Sequence, residues 1–215
     1  MTVSSPAADP KSGVFISFEG IDGSGKSTQA RRLHAALEAE GRATILTREP
    51  GGSSGAEEIR ALVLEGAADR WSPETELLLF TAARHDHLER TIQPALAAGQ
   101  VVICDRFADS TRMYQGLRGE DIRAQVDALH DLMIGQEPDV TVLIDIDPKA
   151  GLERALGRGA GEERFESFGL GLQERLRAGF LELARAHPRF EVVDGTGSEA
   201  DVAARVRKAL KARGI

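Results

Sequence analysis

The residues best equipped for chemistry stand in one run near the start of the chain, Gly20-Ile21-Asp22-Gly23-Ser24-Gly25-Lys26-Ser27. The spacing is G-x-x-x-x-G-K-[ST], and it falls between the apolar stretch VFISFE at 14–19 and the helical pattern TQARRLHAALEAE. That is the order of strand, loop and helix which a phosphate cradle requires. Glycines let the backbone bend so that successive N–H groups turn inward, and the positive end of the following helix dipole adds to them. On this reading Gly20, Asp22, Gly23, Ser24, Gly25, Lys26, Ser27 and Thr28 bind ATP. Lys26 reaches the outer phosphates and is catalytic, and the Ser27 hydroxyl ligates Mg²⁺. A cradle alone names no reaction. No lysine is followed two residues later by aspartate, so the N-K-x-D guanine-reading motif of GTPase switches is missing. Protein kinases use a different glycine loop.

Three further groups of residues could share a crevice with this loop. Thr47-Arg48-Glu49-Pro50-Gly51-Gly52 follows the apolar run ATILT at 43–47, and ligands bind beyond the carboxyl ends of parallel strands. A tight Pro-Gly turn beside a solvated charge pair accounts for the same residues. Phe80 and Arg84 lie four apart, on one face of a helix, although the neighbouring Leu77, Leu78 and Leu79 read as core. Asp105-Arg106 ends the run VVICD at 101–105. It reads either as an exposed pair with Asp109 or Ser110 capping the next helix, or as a carboxylate for Mg²⁺ beside a guanidinium that grips phosphate. His85 and His87 sit two apart on a helix and so point in different directions, which rejects a metal pair.

The elements that must position these groups follow from apolar periodicity. Short runs at 14–19, 43–47, 101–105, 141–146 and 190–194 read as strands. Stretches at 29–40, 56–64, 73–98, 122–134, 148–156, 172–187 and 199–212 have helical spacing. Strands alternating with helices imply an α/β fold: a five-stranded parallel sheet with helices on both faces, in three layers. Residues 1–12 read as a disordered tail without the features of a signal peptide, and 13–215 as one domain. The exception to compactness is the segment 157–171, whose five glycines and several charges mark a mobile lid. A net charge of −7 argues against nucleic-acid binding. No apolar run approaches the length of a membrane span, so a cytoplasmic protein is expected, and the one cysteine, Cys104, reads as a buried thiol in an apolar strand.

Four segments in order, FEGIDGSGKST, TREPGG, LLLFTAARHDHL and DRFADSTRMYQG, give the chain a resemblance to the thymidylate (dTMP) kinases that runs from about Val14 to the C-terminus. The resemblance implies the P-loop kinase fold and transfer of the γ-phosphoryl of ATP·Mg²⁺ to dTMP. It implies that the loop holding Glu49 and Pro50 lines the acceptor pocket, with Glu49 near the sugar, and that Arg60 contacts the acceptor phosphate. Phe80 would stack on thymine and Arg84 would hydrogen-bond the base. Asp105 is implied for Mg²⁺ and Arg106 for phosphate and catalysis, with Ser110 on the substrate side. Thr111 and Gln115 would read thymine, and Tyr114 would lie where it disfavours a ribose 2′-OH. Arg112 and Met113 depart from the family pattern.

Some thymidylate kinases carry an arginine in the phosphate loop, where this chain has Gly23. The bacterial pattern places basic residues in the lid instead, and Arg154, Arg158 and Arg164 bracket that segment here. Arg158 and Arg164 are expected to be catalytic. A homodimer is implied by the resemblance alone. Other monophosphate or nucleoside acceptors, and a non-catalytic nucleotide-binding protein, are the rival readings.

Overall fold

The apolar runs become the strands of one sheet. β1 (Val14–Glu19), β2 (Thr44–Arg48), β3 (Val101–Asp105), β4 (Val140–Asp145) and β5 (Phe190–Asp194) pair in parallel in the order β2-β3-β1-β4-β5. The structure, a computed structural model, describes residues 13–67, 70–117, 122–157 and 169–215. The expected tail 1–12 lies outside the described residues, as does 158–168, most of the expected lid. The lid's last expected residues, Gly169–Gly171, are instead the first turn of a helix.

The helices are α1 (Lys26–Ala39), α2 (Ser54–Leu64), α3 (Pro73–His87), α4 (Gln93–Ala97), α5 (Ala108–Tyr114), α6 (Arg123–Met133), α7 (Pro148–Leu156), α8 (Gly169–Ala186) and α9 (Glu199–Ala212). Strand alternation sorts the core into layers. Ile16, Phe18, Ile103, Val142 and Ile144 meet Leu33 and Leu37 of α1 and Val206 and Leu210 of α9. Phe15 and Val102 point the other way, onto Leu88, Ile92 and Phe107. Leu143 meets Leu176 and Phe180 of α8. These faces make the three-layer α/β sandwich that the sequence predicts.

Two expectations need correction. The single helix predicted over 73–98 is broken: α3 ends at His87, Leu88–Ile92 form a π-helical turn, and α4 follows. Pro94 has no N–H for the preceding turn and its ring crowds the carbonyl four residues back, so the helix widens just before it. Leu78 is not core. Leu77 is buried, whereas Leu78 is 61% exposed.

Register fixes where the site forms. Asp105 pairs with Phe18 on one side and Arg48 on the other, so the carboxyl ends of β1, β2 and β3 stand level. β1 lies between β3 and β4, the point at which strand order reverses and a crevice opens. The phosphate loop, the 47–52 loop and Asp105-Arg106 all leave the sheet there.

Candidate active site

The phosphate loop is held by its own lysine. Lys26 Nζ donates to Ile21 O (2.7 Å) and Ser24 Oγ (3.5 Å) and is buried. Burial and the nearby Arg106 charge push its pKa down to about 8, against the pull of Asp22, Asp105 and Glu19. Gly23 has φ +74, and a Cβ there would run into the Gly151 carbonyl of α7, so the loop packs backbone to backbone on that helix. Gly20, Ser24, Gly25, Ser27 and Thr28 complete the loop and the first turn of α1. A separate recess brings Gly23, Ser24, Gly25 and Thr28 together with Arg154, Gly157, Gly195, Gly197 and Glu199. Arg158 and Arg164 lie outside the described residues.

Arg106 joins this loop to a second cleft. Its φ is +72, a left-handed conformation that costs a side-chain-bearing residue on the order of 1–3 kcal/mol. The backbone is gripped on both sides, since its N–H donates to Phe18 O (3.0 Å) and its carbonyl accepts from Cys104 Sγ (3.0 Å). Cys104 is buried, as the sequence predicts. The guanidinium pairs with Asp22 and donates to Ser110 Oγ (3.1 Å), Tyr114 OH (3.3 Å) and Gly20 O (3.5 Å). Asp22 also accepts from Tyr114 OH (2.8 Å) and Gln173 Nε2 (3.3 Å). Burial alone would raise the Asp22 carboxyl; Arg106 and Lys26 outweigh it and hold it below the ordinary carboxylate range.

The second cleft opens beside Arg106. Asp22, Arg106, Ser110 and Tyr114 line one end, and Glu49, Pro50, Phe80, Arg84, Thr111 and Gln115 line the rest, with Leu64. Residues from five separate stretches of sequence thus meet in one recess. Arg84 is buried and donates through Nε to Glu49 Oε2 (2.7 Å) and through Nη2 to Thr111 Oγ1 (3.0 Å). Gln115 Nε2 donates to the buried Glu76 Oε2 (3.0 Å), which fixes the amide's orientation. Arg60, half-buried, donates to Pro50 O (2.7 Å) on the same loop.

Neither Asp109 nor Ser110 caps a helix; both lie within α5. Ser110 Oγ donates to Glu19 Oε2 (2.6 Å), while Glu19 Oε1 accepts from the N–H groups of Phe107 (2.8 Å) and Ser110 (3.1 Å). Burial and the Asp109 charge push the Glu19 pKa up to about 7. Asp109 is fully buried and joins Arg112 (2.9 Å) and Arg189 (2.7 Å). Arg112 also reaches Asp127 (2.8 Å) and Glu137 (2.7 Å). Met113 is buried in the cluster with Leu176 and Phe180. Neither of the two residues that depart from the family pattern lines the cleft, although Met113 packs in the cluster that holds Tyr114 and Phe80.

Asp105 Oδ1 is buried and has no hydrogen-bond partner. A hard cation held by one or two protein oxygens plus phosphates and water would use such an atom together with the Ser27 hydroxyl, so these residues fit Mg²⁺. Among the described residues no three His, Cys, Asp or Glu side chains cluster as a complete metal cage.

Sequence reasoning passed over Glu19, Glu76 and Gln173, and weighed His87 only as a metal ligand. Glu19 alone carried a signal, as a carboxylate ending an otherwise apolar strand directly before the loop. The thymidylate kinase family model matches residues 18–206. Thymidylate kinases of Ruegeria pomeroyi and Dinoroseobacter shibae are 68% and 67% identical, each over 90% of this chain and over 92% and 94% of their own lengths. The crystal structure of thymidylate kinase from Ehrlichia chaffeensis superposes with a TM-score of 0.75 at 34% identity, covering 92% of this chain and 98% of that one.

Proposed function

The chain belongs to the thymidylate kinase family, and on that premise we propose how its two recesses pass the γ-phosphoryl group of ATP to dTMP, giving ADP and dTDP. The glycine-lined recess beside Arg154 takes ATP, and the cleft from Asp22 to Gln115 takes dTMP. One observation carries this assignment: Arg106 bonds the phosphate loop at Gly20 and Asp22 and, with the same guanidinium, the cleft residues Ser110 and Tyr114. A cation at the junction of two anion sites is what transfer between them requires.

The acceptor phosphate is ionised near neutral pH, so no strong general base is needed, and positioning with charge neutralisation carries the reaction. Lys26 neutralises donor phosphate; its present bonds to Ile21 O and Ser24 Oγ are internal ones that an arriving phosphate can replace. Arg106 grips the acceptor phosphate through its planar fork, and Asp22 holds that fork in direction. Mg²⁺, carried by Asp105 and Ser27, supplies charge neutralisation on the donor phosphates when bound. At the far end Arg84, Thr111 and Gln115 offer the donors and acceptors that read a pyrimidine edge, Phe80 offers a ring face, and Tyr114 closes the sugar end. Arg60 and Glu49 complete the acceptor side, and Arg158 and Arg164 are assigned to the transferred phosphoryl group.

Among the described residues no helix is long and apolar enough to cross a membrane, and we place the enzyme in the cytoplasm. Leu78 on α3 and Leu132 and Met133 on α6 are exposed, with Leu78 and Met133 sharing a shallow groove with Leu129. An apolar face of this kind suits the homodimer implied by the family.

The deciding experiment is an ADP-release assay across dTMP, dUMP, CMP, UMP and thymidine. Selective turnover with dTMP is expected. Preference for a ribonucleotide would overturn the roles given to Tyr114 and Gln115, and ATP binding without acceptor-dependent ADP release would remove the kinase assignment.

A further inference from the structure

His87 has no place in the chemistry above, yet it is a buried side chain with both ring nitrogens bonded. Its ring is fully buried at the end of α3, and both nitrogens are engaged: Nε2 with Thr47 Oγ1 at 2.7 Å and Nδ1 with Glu49 Oε1 at 3.2 Å. A carboxylate oxygen only accepts, so the Nδ1 position carries the proton toward Glu49. A hydroxyl can donate or accept, so Thr47 Oγ1 can meet Nε2 in either role.

The loop from Thr47 to Gly52 is folded around this ring. Gly52 has φ +87, and a Cβ there would run into His87 Nε2 and Thr47 Oγ1. Thr91 Oγ1 donates to Gly52 O (2.8 Å) from the π-helical turn just beyond the histidine, and Glu49 N donates to Asp105 O (3.0 Å). Glu49 is thereby fixed by its backbone and by one oxygen, and its other oxygen receives Arg84 Nε. Arg84 Nη2 then reaches Thr111 on α5. A chain of bonds, Thr47 to His87 to Glu49 to Arg84 to Thr111, crosses the base end of the acceptor cleft.

We propose that His87 is a positioning residue for the acceptor: by donating to Glu49 Oε1 it aims the remaining carboxylate oxygen at Arg84, and so sets the direction in which Arg84 meets the base. A leucine would fill the volume but leave Glu49 Oε1 and Thr47 Oγ1 without this partner in a buried site, and a buried group stripped of its partner finds another or destabilises its surroundings. The donor recess shares no residue with this chain, so the effect falls on one substrate. The inference rests on Glu49 and Arg84 belonging to the acceptor side.

The test is steady-state kinetics on His87→Leu, His87→Asn, Thr47→Val and Arg84→Met, each with a thermal melt. For His87→Leu the KM for dTMP rises about tenfold, the size expected from losing one buried bond to a charged group, while the KM for ATP stays within about twofold. Asparagine keeps a donor near the Nδ1 position, so His87→Asn recovers most of that loss, and Thr47→Val gives a smaller rise because the bond from Nδ1 to Glu49 is kept. If His87→Leu leaves the dTMP KM unchanged while Arg84→Met raises it, the acceptor site stands and the role of His87 is overturned. If Arg84→Met also leaves it unchanged, the acceptor-side reading falls and takes this inference with it. Should the histidine serve packing alone, His87→Asn melts as low as His87→Leu and both KM values move together, which equally overturns the proposal; if leucine does not fold, asparagine and valine still decide by the dTMP-to-ATP split.

Discussion

Two clusters of ionised side chains meet at α5, and their charges are pulled in different directions. On the cleft side, Lys26, Arg106, Asp22, Glu19 and Asp105 are crowded together: Lys26 is pushed down to about 8, Glu19 is pushed up to about 7, Asp105 Oδ1 has no hydrogen-bond partner, and Arg106 holds a left-handed backbone. On the other face, Arg112 is shared among Asp109, Asp127 and Glu137, and Arg189 adds further bonds to Asp109 and Glu137. Burial would raise Glu137, but His130 and Arg112 overcome it and draw it down to about 2, while Arg112 itself is pushed upward. The same residue types thus serve opposite ends. On α5's outer face the cations tie Asp109 into the fold, whereas in the cleft Lys26 and Asp105 Oδ1 keep bonding capacity that a ligand can take up. Asp109 belongs to the second cluster yet raises Glu19 in the first, so the two are electrostatically joined.

The sharpest way to break this contrast is to delete one cation from each side. Lys26→Ala or Arg106→Ala should lower kcat by a factor on the order of a hundred or more; Lys26→Ala should melt no lower than the parent, because burial penalises its ammonium, whereas Arg106→Ala should melt lower, because the buried Asp22 loses its counter-charge. Steady-state turnover and a thermal melt on the same preparation would show it. Arg112→Met should lose about 1–3 kcal/mol of stability, because the buried Asp109 is left with Arg189 as its one cation, while turnover per folded molecule keeps its order of magnitude. A variant that melts normally and turns over poorly would place Arg112 with the cleft and erase the distinction.

Titration sharpens it further. Lys26 is lowered from 10.5 to about 8 in the free protein, so kcat/KM for ATP should fall on the alkaline side with an apparent pKa near 8. At saturating ATP the bound phosphates favour the ammonium, and kcat should fall only at higher pH. The smallest effect lies in stability. Glu19 is raised from 4.5 to about 7, so the stability it contributes is full below its unfolded pKa and is lost as pH rises through about 7. Glu137 is lowered from 4.5 to about 2, so its contribution is present above 4.5 and is lost as pH falls through about 2. Denaturation across this range should show Glu19→Gln flattening the neutral slope and Glu137→Gln flattening the acid one; equal slopes in both variants would contradict the contrast.

Much of the fold was legible because buried parallel strands are short apolar runs that end where polar chemistry begins, as VFISFE and VVICD do. The cleft residues were legible as four motifs in family order. What escaped were single polar residues whose partners are distant in sequence. Gln173 meets Asp22 from 151 positions away, and His87 meets Glu49 across 38; no local spacing encodes such a pairing. The break at Leu88 escaped because Pro94 keeps the apolar period intact while altering the backbone. Leu78 misled for a related reason, since an apolar residue reads alike whether it faces the interior or the outside.

The contact between Gly23 and Gly151 bears on redesign. Members of the family that place an arginine in the phosphate loop do so at the position this chain gives to Gly23, where a backbone carbonyl of α7 already fills the space that a first side-chain carbon would need. A main chain cannot swing aside as a side chain can. Transplanting that arginine here would demand a retracted or rebuilt α7 before the new residue could be seated, and a single exchange at Gly23 would distort the cradle it was meant to reinforce.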